Sequence, residues 1–470
     1  MANHQELPAA VVMVPLPAQG HLNQLLHFSR LIAAHNIPVH YVAAAAHIRQ
    51  AKTRVHGWDP SSTAAVHFHE LPTPTFTNPP PDPNAATKFP TQLIPSLLSS
   101  MDLRQPVYEL VQKLAATTRR LAVVYDSSLP YVVQDVRNIP NAEAYCFHSI
   151  AAFSVYSFSW EYRGKPALPN EAKIFEQVPT ADGCFPPEFA EVMKFQHEAP
   201  KFNSGDIYNT SRAIEGAYID LLAKEKTTGT GTIWAVGPFN PVVLPERKLP
   251  EAEADEREEC LKWLDKQGKN SVIFVSFGST CSLSDEQISE IAVGLERSGQ
   301  KFIWVVREAD RGNVFEGDVR RAPLPQGYEE TIRGRGLILR DWAPQLEILG
   351  HVSTGGFLTH CGWNSCIESI SMGVAVVAWP MHSDQPRNAV LMTKALGIGV
   401  EVFEWGRQDR LGVVSSDTVE SVVTRLMASE EGDEMRKRAA QLGDAVKKSV
   451  MGGGISSKEL DSFISHITRS

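Results

Sequence analysis

The chain has 470 residues and a mass of 51.8 kDa, too long for one ordinary hydrophobic core, so two domains of roughly 200 residues each are predicted. A net charge of −9 and a pI near 5.9 argue against nucleic acid or an anionic membrane as the main partner. With 43% hydrophobic and 21% charged residues, the composition is that of a soluble globular protein, and no stretch approaches the roughly 20 apolar residues of a membrane span. Cysteines at 146, 184, 260, 281, 361 and 366 are sparse. Cys361 and Cys366 lie close together, but no second close pair of cysteines or histidines completes a zinc site, so buried free thiols are predicted. The N-terminal residues Met1 to Glu6 are polar and lack an apolar signal core, so a cytoplasmic protein is expected. Asn209-Thr210-Ser211 is then an unused glycosylation sequon.

In chain order, Ala10 to Pro15 reads as a buried parallel strand, followed by a Gly-containing turn and a helical stretch from Leu22 to Ala34. Val39 to Ala43, Val66 to His69, Leu121 to Tyr125 and Ala144 to Phe147 read as further strands with helical segments between most of them. Leu71 to Pro90 is rich in Pro, Thr and Asn and includes Pro79-Pro80-Pro81, so it reads as a surface loop, set over a pocket. Residues 155–205 are irregular, punctuated by proline, and yield no assignment. A second series follows: Ser271 to Phe277, a helix from about Asp285 to Ser298, Lys301 to Val306, Gly336 to Leu339, Thr354 to Leu358 and Val374 to Ala378. Between the series lies a linker at 241–259 that ends in the acidic run Glu251 to Glu259. The division is therefore 1–240, the linker, 260–450, and a C-terminal helix at 451–470. Repeated strand–helix alternation on both sides of a linker predicts two facing, doubly wound α/β domains, with ligands at the C-terminal ends of the strands, in the cleft between the sheets.

The chemistry concentrates in one block. It opens Trp342-Ala343-Pro344-Gln345, passes through His360-Cys361-Gly362-Trp363-Asn364-Ser365 and Glu368, and closes Asp384-Gln385. An indole, an imidazole, small polar groups, two carboxylates and a tight Gly turn suit a base, a ribose, a pyrophosphate and a hexose. His360 follows a predicted strand and precedes a helix beginning near Gly362, whose N-terminal N–H groups would face phosphate.

This block resembles the signature of the plant family 1 glycosyltransferases, which move sugar from UDP-sugars to small molecules. The resemblance extends over effectively the whole chain and implies the GT-B fold, two facing Rossmann-like domains. It assigns Trp342 to stacking on uracil, the Ala343 backbone to the base edge, and Gln345 and Glu368 to ribose hydroxyls. His360, Asn364 and Ser365 are assigned to the diphosphate, with Trp363 in the same turn, and Asp384 and Gln385 to sugar hydroxyls. Ser279, in the Phe277-Gly278-Ser279 turn, looks like a second phosphate donor. A closing Gln leans the donor toward glucose. A core position for Trp342 and a helix N-cap for Asp384 are the plainer readings of those two residues.

The family's His–Asp dyad maps onto His21 and Asp126. His21 lies in Pro17-Ala18-Gln19-Gly20-His21, after the first strand and just before a helix, where the helix N-terminus is expected to keep the imidazole neutral. Asp126 ends the strand from Leu121 and can stabilise the imidazolium formed in the reaction, or else cap a helix. One departure is visible: many plant members read Gly-His-x-x-Pro, whereas Gln24 stands here in place of the proline. His21-Leu22-Asn23-Gln24-Leu25-Leu26-His27 and Trp379-Pro380-Met381-His382-Ser383-Asp384-Gln385 resemble the branch of zeatin O-glucosyltransferases.

The resemblance implies an inverting transfer of glucose from UDP-glucose to a hydroxyl of a small hydrophobic acceptor, a cytokinin by the branch, with no cofactor. Flavonoid, other phenolic or terpenoid acceptors and UDP-xylose as donor stay open. Phe147 and His148, at the end of a strand, are the candidates for the acceptor wall, with Phe147 equally readable as core. No apolar strand ends in Asp-x-Asp, so no metal is expected: phosphate charge would fall to helix N-termini and His360. A non-catalytic metabolite-binding protein on the same fold would be expected to have lost His21, Asp126 or part of the block. An NAD enzyme would need a Gly-x-Gly-x-x-Gly that Gly229-Thr230-Gly231, Gly334-Arg335-Gly336 and Met451-Gly452-Gly453-Gly454 do not supply. A monomer is the default expectation, and Glu459 to Ser470 is amphipathic enough to pack back on the first domain.

Overall fold

The computed structural model describes residues 7–470 apart from 56, 61–62, 199–201, 227–230, 245–253, 404 and 406–411. Seven parallel strands build the first sheet: β1 (Ala10–Val14), β2 (Val39–Ala43), β3 (Val66–Glu70), β4 (Leu121–Asp126), β5 (Ala142–His148), β6 (Asp206–Tyr208) and β7 (Ile233–Ala235). Their order is β3-β2-β1-β4-β5-β6-β7. Six parallel strands build the second: β8 (Val272–Ser276), β9 (Lys301–Val305), β10 (Gly336–Leu339), β11 (Thr354–Thr359), β12 (Ala375–Ala378) and β13 (Gly399–Glu401), in the order β10-β9-β8-β11-β12-β13.

Central strands such as β1, Ala-Val-Val-Met-Val, are buried along their whole length, as strands covered by helices on both faces must be. In each sheet the chain order reverses once, between β1 and β4 and between β8 and β11. Such reversals leave a crevice at the strand ends, where ligands bind doubly wound sheets. His21 follows β1 and Asp126 ends β4; Gly278 and Ser279 follow β8 and His360 follows β11. Both crevices thus carry residues singled out by their chemistry.

Several boundaries differ from expectation. The first helix is Gln19–Ala33, three residues earlier than predicted, so His21 sits within its first turn. The turn begins there because Ala18, still extended (φ −133°, ψ 142°), accepts from the N–H groups of His21 and Leu22 through its carbonyl, both at 2.9 Å. β6, β7 and β13 have three residues each and carry too little pattern to be read. Residues 155–205 hold most of the helix Ala152–Tyr162, a 3₁₀ segment Asn170–Gln177 and the helix Phe189–Glu198. Of the predicted linker, 245–253 lies outside the described residues, as does most of Gly229-Thr230-Gly231; the helix Ala254–Asp265 takes the end of the acidic run. All six cysteines are buried. None of the described helices is long and apolar enough to cross a membrane.

The last helix, Ile455–Thr468, lies against the first sheet although it follows the second. Its Phe463 is fully buried between Phe28, Tyr145 and Trp234, with ring centroids 5.8, 5.4 and 5.2 Å away, and Arg212 pairs with Glu459 at 2.6 Å. Phe463→Ala should therefore weaken the first domain by about 3–5 kcal/mol, the usual cost of emptying an aromatic core site. Calorimetry is expected to show the first domain's transition shifted down.

Candidate active site

A cavity of about 960 Å³ opens between the sheets, near the upper end of the range for small-molecule sites. His21, Ser279, Trp342, Ala343, Gln345, His360, Trp363, Asn364, Ser365, Glu368, Asp384 and Gln385 all line it.

At its floor, His21 Nδ1–H donates to Asp126 Oδ2 at 2.7 Å. Asp126 is fully buried, while the imidazole is about a quarter exposed and turned to the cavity. The other oxygen of Asp126 accepts from the Ser128 N–H at 2.9 Å, so both carboxylate oxygens are held. Burial pushes the His21 pKa down, but the Asp126 carboxylate, with a smaller contribution from Asp384, more than offsets it and the net shift is upward. The helix N-terminus was expected to keep this imidazole neutral; the paired carboxylate is the stronger influence.

Opposite stands the helix Trp363–Met372, whose first turn lines the cavity with unpaired N–H groups, as helix N-termini do. The His360 ring is confined between two glycines. A Cβ at Gly278 would lie 2.4 Å from it and one at Gly362 2.5 Å, and Gly278 also adopts φ +74°. Burial pushes the His360 pKa down to about 4. Its Nδ1 is buried with no hydrogen-bond partner among the described residues. His382 is pushed lower still, to about 3, by burial and by His360.

Gln345 Nε2 donates to Glu368 Oε2 at 2.7 Å and to Ser365 Oγ at 3.1 Å, fixing the carboxylate on the cavity wall. Burial lifts Glu368 to about 7 against the opposing Gln345 bond. Asp384 occupies the N-cap position of the helix Gln385–Val390 but makes no side-chain cap; its Oδ2 accepts from Asn388 Nδ2 at 2.7 Å instead. Gln385 Oε1 accepts from the N–H groups of Met381 and His382 at 2.9 and 3.1 Å, and its amide nitrogen donates to His382 Nε2 at 3.2 Å. Trp342 is flanked by two guanidinium groups, Arg54 at 4.8 Å and Arg307 at 5.3 Å from the ring centre. Both arginines pair with Asp310, Arg54 at 2.7 Å.

Two donor-block residues also join the halves. Asn364 Nδ2 donates to the Gly20 carbonyl at 2.8 Å, and Trp363 Nε1 donates to the Asn209 carbonyl at 2.9 Å. Gln24, the departure from the family's proline, bridges the same region. Its amide donates to the Ser149 and Gly20 carbonyls at 2.8 and 3.1 Å and accepts from Asn209 Nδ2 at 3.0 Å.

The acceptor-wall expectation needs correction. Phe147 and His148 do not line the cavity. Phe147 is fully buried and stacks on Phe239 at 5.7 Å, a core aromatic. His148, its neighbour on the opposite face of β5, stacks on Tyr208 at 4.5 Å and donates to Asp206 at 2.9 Å. The apolar wall is built instead from Phe89, Leu93, Phe158, Phe185, Phe189 and Met193. The spacing of Phe189 and Met193, one helical turn apart after Pro186-Pro187, was the available signal. The loop ending at Pro90 does reach the pocket, through Phe89 and Pro90, and crosses to the second sheet's half where Asn78 bonds the Asn313 backbone at 2.9 and 3.1 Å.

A family model described as "Glycosyltransferase, N-terminal domain" matches residues 8–241, and one described as "UDP-glucoronosyl and UDP-glucosyl transferase" matches 250–428. A zeatin O-glucosyltransferase of Phaseolus lunatus is 50% identical over 99% of this chain and 98% of its own length. A zeatin O-xylosyltransferase of Phaseolus vulgaris is 47% identical over the whole of both. The solved structure of Phytolacca americana UGT2 complexed with UDP-2fluoro-glucose and pterostilbene aligns with a TM-score of 0.75 at 27% identity, covering 98% of this chain and 100% of that one. With these relatives, the two facing parallel sheets are the GT-B fold, and the chain belongs to the plant family 1 UDP-glycosyltransferases.

Proposed function

We propose that the protein transfers glucose from UDP-glucose to a hydroxyl of a small, flat acceptor, a cytokinin of the zeatin type, with inversion at the anomeric carbon. The observation that carries this reading is the 2.7 Å His21–Asp126 bond at the cavity floor, facing the donor block. His21 Nε2 removes the acceptor's hydroxyl proton. The acceptor oxygen bonds the anomeric carbon as the bond from that carbon to UDP breaks, its electron pair passing to the diphosphate. Asp126 stabilises the imidazolium and holds the ring in place. An α-linked donor thus yields a β-glycoside.

Trp342 stacks on uracil, Gln345 and Glu368 meet the ribose, and Asp384 and Gln385 meet the hexose. Ser279, Asn364, Ser365, His360 and the N–H groups at Trp363 receive the diphosphate. His360, Ser279, Asn364 and Ser365 line the cavity together, which supports a ligand at that place. No step of this mechanism needs a metal. We assign 1–240 and 260–450 as the acceptor and donor domains, joined at 241–259, with 451–470 returning to the first, in a cytoplasmic monomer.

Xylose is the second donor reading, because the O-xylosyltransferase relative stands nearly as close as the O-glucosyltransferase. A panel of UDP-glucose, UDP-xylose and UDP-galactose against zeatin, flavonol and terpenoid alcohols decides both substrates. Turnover of zeatin with UDP-glucose to a β-glucoside, assigned by NMR of the anomeric proton, is the expected result. An α-linked product would overturn the single displacement.

His21→Ala should lower kcat by about 10²–10⁴-fold, the scale of general-base catalysis, while calorimetric UDP binding stays within about twofold. In the wild type the base is lost as pH falls through the raised His21 pKa. Asp126→Asn removes the main group that raises it and leaves burial, so the acid limb of kcat/KM should move to lower pH while the plateau drops.

A further inference from the structure

Three side chains of different metal-binding chemistry, Cys146, His148 and Asp206, converge away from the cleft. Strand periodicity puts them together. Cys146 and His148 are two apart on β5, so both project from one face, and β6 runs parallel beside it with Asp206 in register with Cys146. One ligand atom from each lies within 4.8 Å of the other two. His148 Nε2–H donates to Asp206 Oδ1 at 2.9 Å, and Asn203 Nδ2 donates to the same oxygen at 3.1 Å. Tyr208, in register with His148, stacks on its ring with an interplanar angle of 10° and fixes its orientation. All three are buried, Asp206 completely.

A buried carboxylate and imidazole are commonly explained as an ion pair. The Cys146 thiol belongs to the same group, hydrogen-bonded to His148 beside the carboxylate. Zinc uses all three, because thiolate sulfur, imidazole nitrogen and carboxylate oxygen are its ordinary protein ligands. One thiolate and one carboxylate cancel its charge, so the occupied site would bury no net charge. At tetrahedral angles, zinc bonds of about 2.0–2.3 Å put ligand atoms about 3.3–3.6 Å apart, so the pairs now farthest apart would close by up to about 1 Å.

We infer that Cys146, His148 and Asp206 form a structural divalent-metal site of the zinc type that clamps β5 to β6. Coordination replaces the His148–Asp206 hydrogen bond: the Cys146 thiol proton leaves to solvent, and the His148 Nε2 proton leaves with it or moves to Nδ1, freeing the nitrogen lone pair for the metal. The site takes no part in sugar transfer and does not depend on how the cleft is read.

A closed site loads as the strands pair, so the test uses the full chain expressed in zinc- or cobalt-supplemented medium and then gel-filtered against EDTA. About one equivalent of zinc by elemental analysis is expected, and the cobalt form should show thiolate-to-cobalt charge transfer with the intense d–d bands of a tetrahedral site. Cys146→Ser and Asp206→Asn should each lower bound metal by about tenfold or more, and Cys184→Ser should leave it unchanged. UDP binding measured alongside reports whether each variant is folded. Zinc well below one equivalent, or as much metal in folded variants as in the wild type, overturns the site. Should the variants not fold, a cobalt spectrum of the wild type without a thiolate band does the same.

Discussion

One hydrogen bond between the two halves of the cleft, from Asn364 Nδ2 to the carbonyl of Gly20, joins the cavity-facing helix directly to the turn that carries His21. Asn364 sits in the first turn of the helix that faces the cavity with its N–H groups; Gly20 immediately precedes His21. The bond therefore ties the cavity-facing helix end of one domain to the turn that carries the imidazole of the other. It is backed by Trp363 on the Asn209 carbonyl and by Gln24, which holds Gly20, Ser149 and Asn209 together. Misplacements of about 1 Å between reacting groups cost a transferase orders of magnitude in rate. Short polar links at the cleft floor are a more direct answer to that demand than apolar packing, which tolerates sliding.

The same region shows what a sequence can and cannot disclose. Long apolar runs such as β1, β4 and β11 were legible because burial on both faces leaves a continuous signature. The strand–helix order then placed His21, Asp126, Gly278 and His360 at strand ends. The donor block was legible because its residues are local in the chain and its chemistry is unusual. The acceptor wall was not. Phe158, Phe185, Phe189 and Met193 come from helices and turns whose apolar residues look like any core face until the fold shows a cavity beside them. Phe147 and His148 failed as candidates for a related reason: a strand end sends consecutive side chains to opposite faces, and here neither face is the cleft. Gln24 was visible as a substitution, but its meaning needs carbonyls more than a hundred residues away in the chain.

Electrostatics separate the three imidazoles at the cleft. Burial alone would make all three weak bases, and His360 and His382 are such groups. Only His21 has a buried carboxylate on its ring nitrogen, and only His21 moves the other way. A helix terminus exerts a fraction of a charge, whereas Asp126 brings a whole one at 2.7 Å. The glycines around His360 act on shape instead. With no Cβ at 278 or 362, the ring lies flat against two backbone turns, and a proton donor is held there without a cation.

Asn209 opens the sequon Asn209-Thr210-Ser211, yet its side chain is committed to the fold. Its amide nitrogen donates to Gln24, its side-chain oxygen accepts from the Phe239 N–H, and its carbonyl accepts from Trp363. Attachment of a glycan takes that same nitrogen and needs room where 3% of the residue reaches solvent. The modification and the folded state are thus mutually exclusive, and whichever comes first on a nascent chain forecloses the other. A chain that folds first is closed to the modifying enzyme. A chain modified first would carry a sugar wedge at the seam between its two domains.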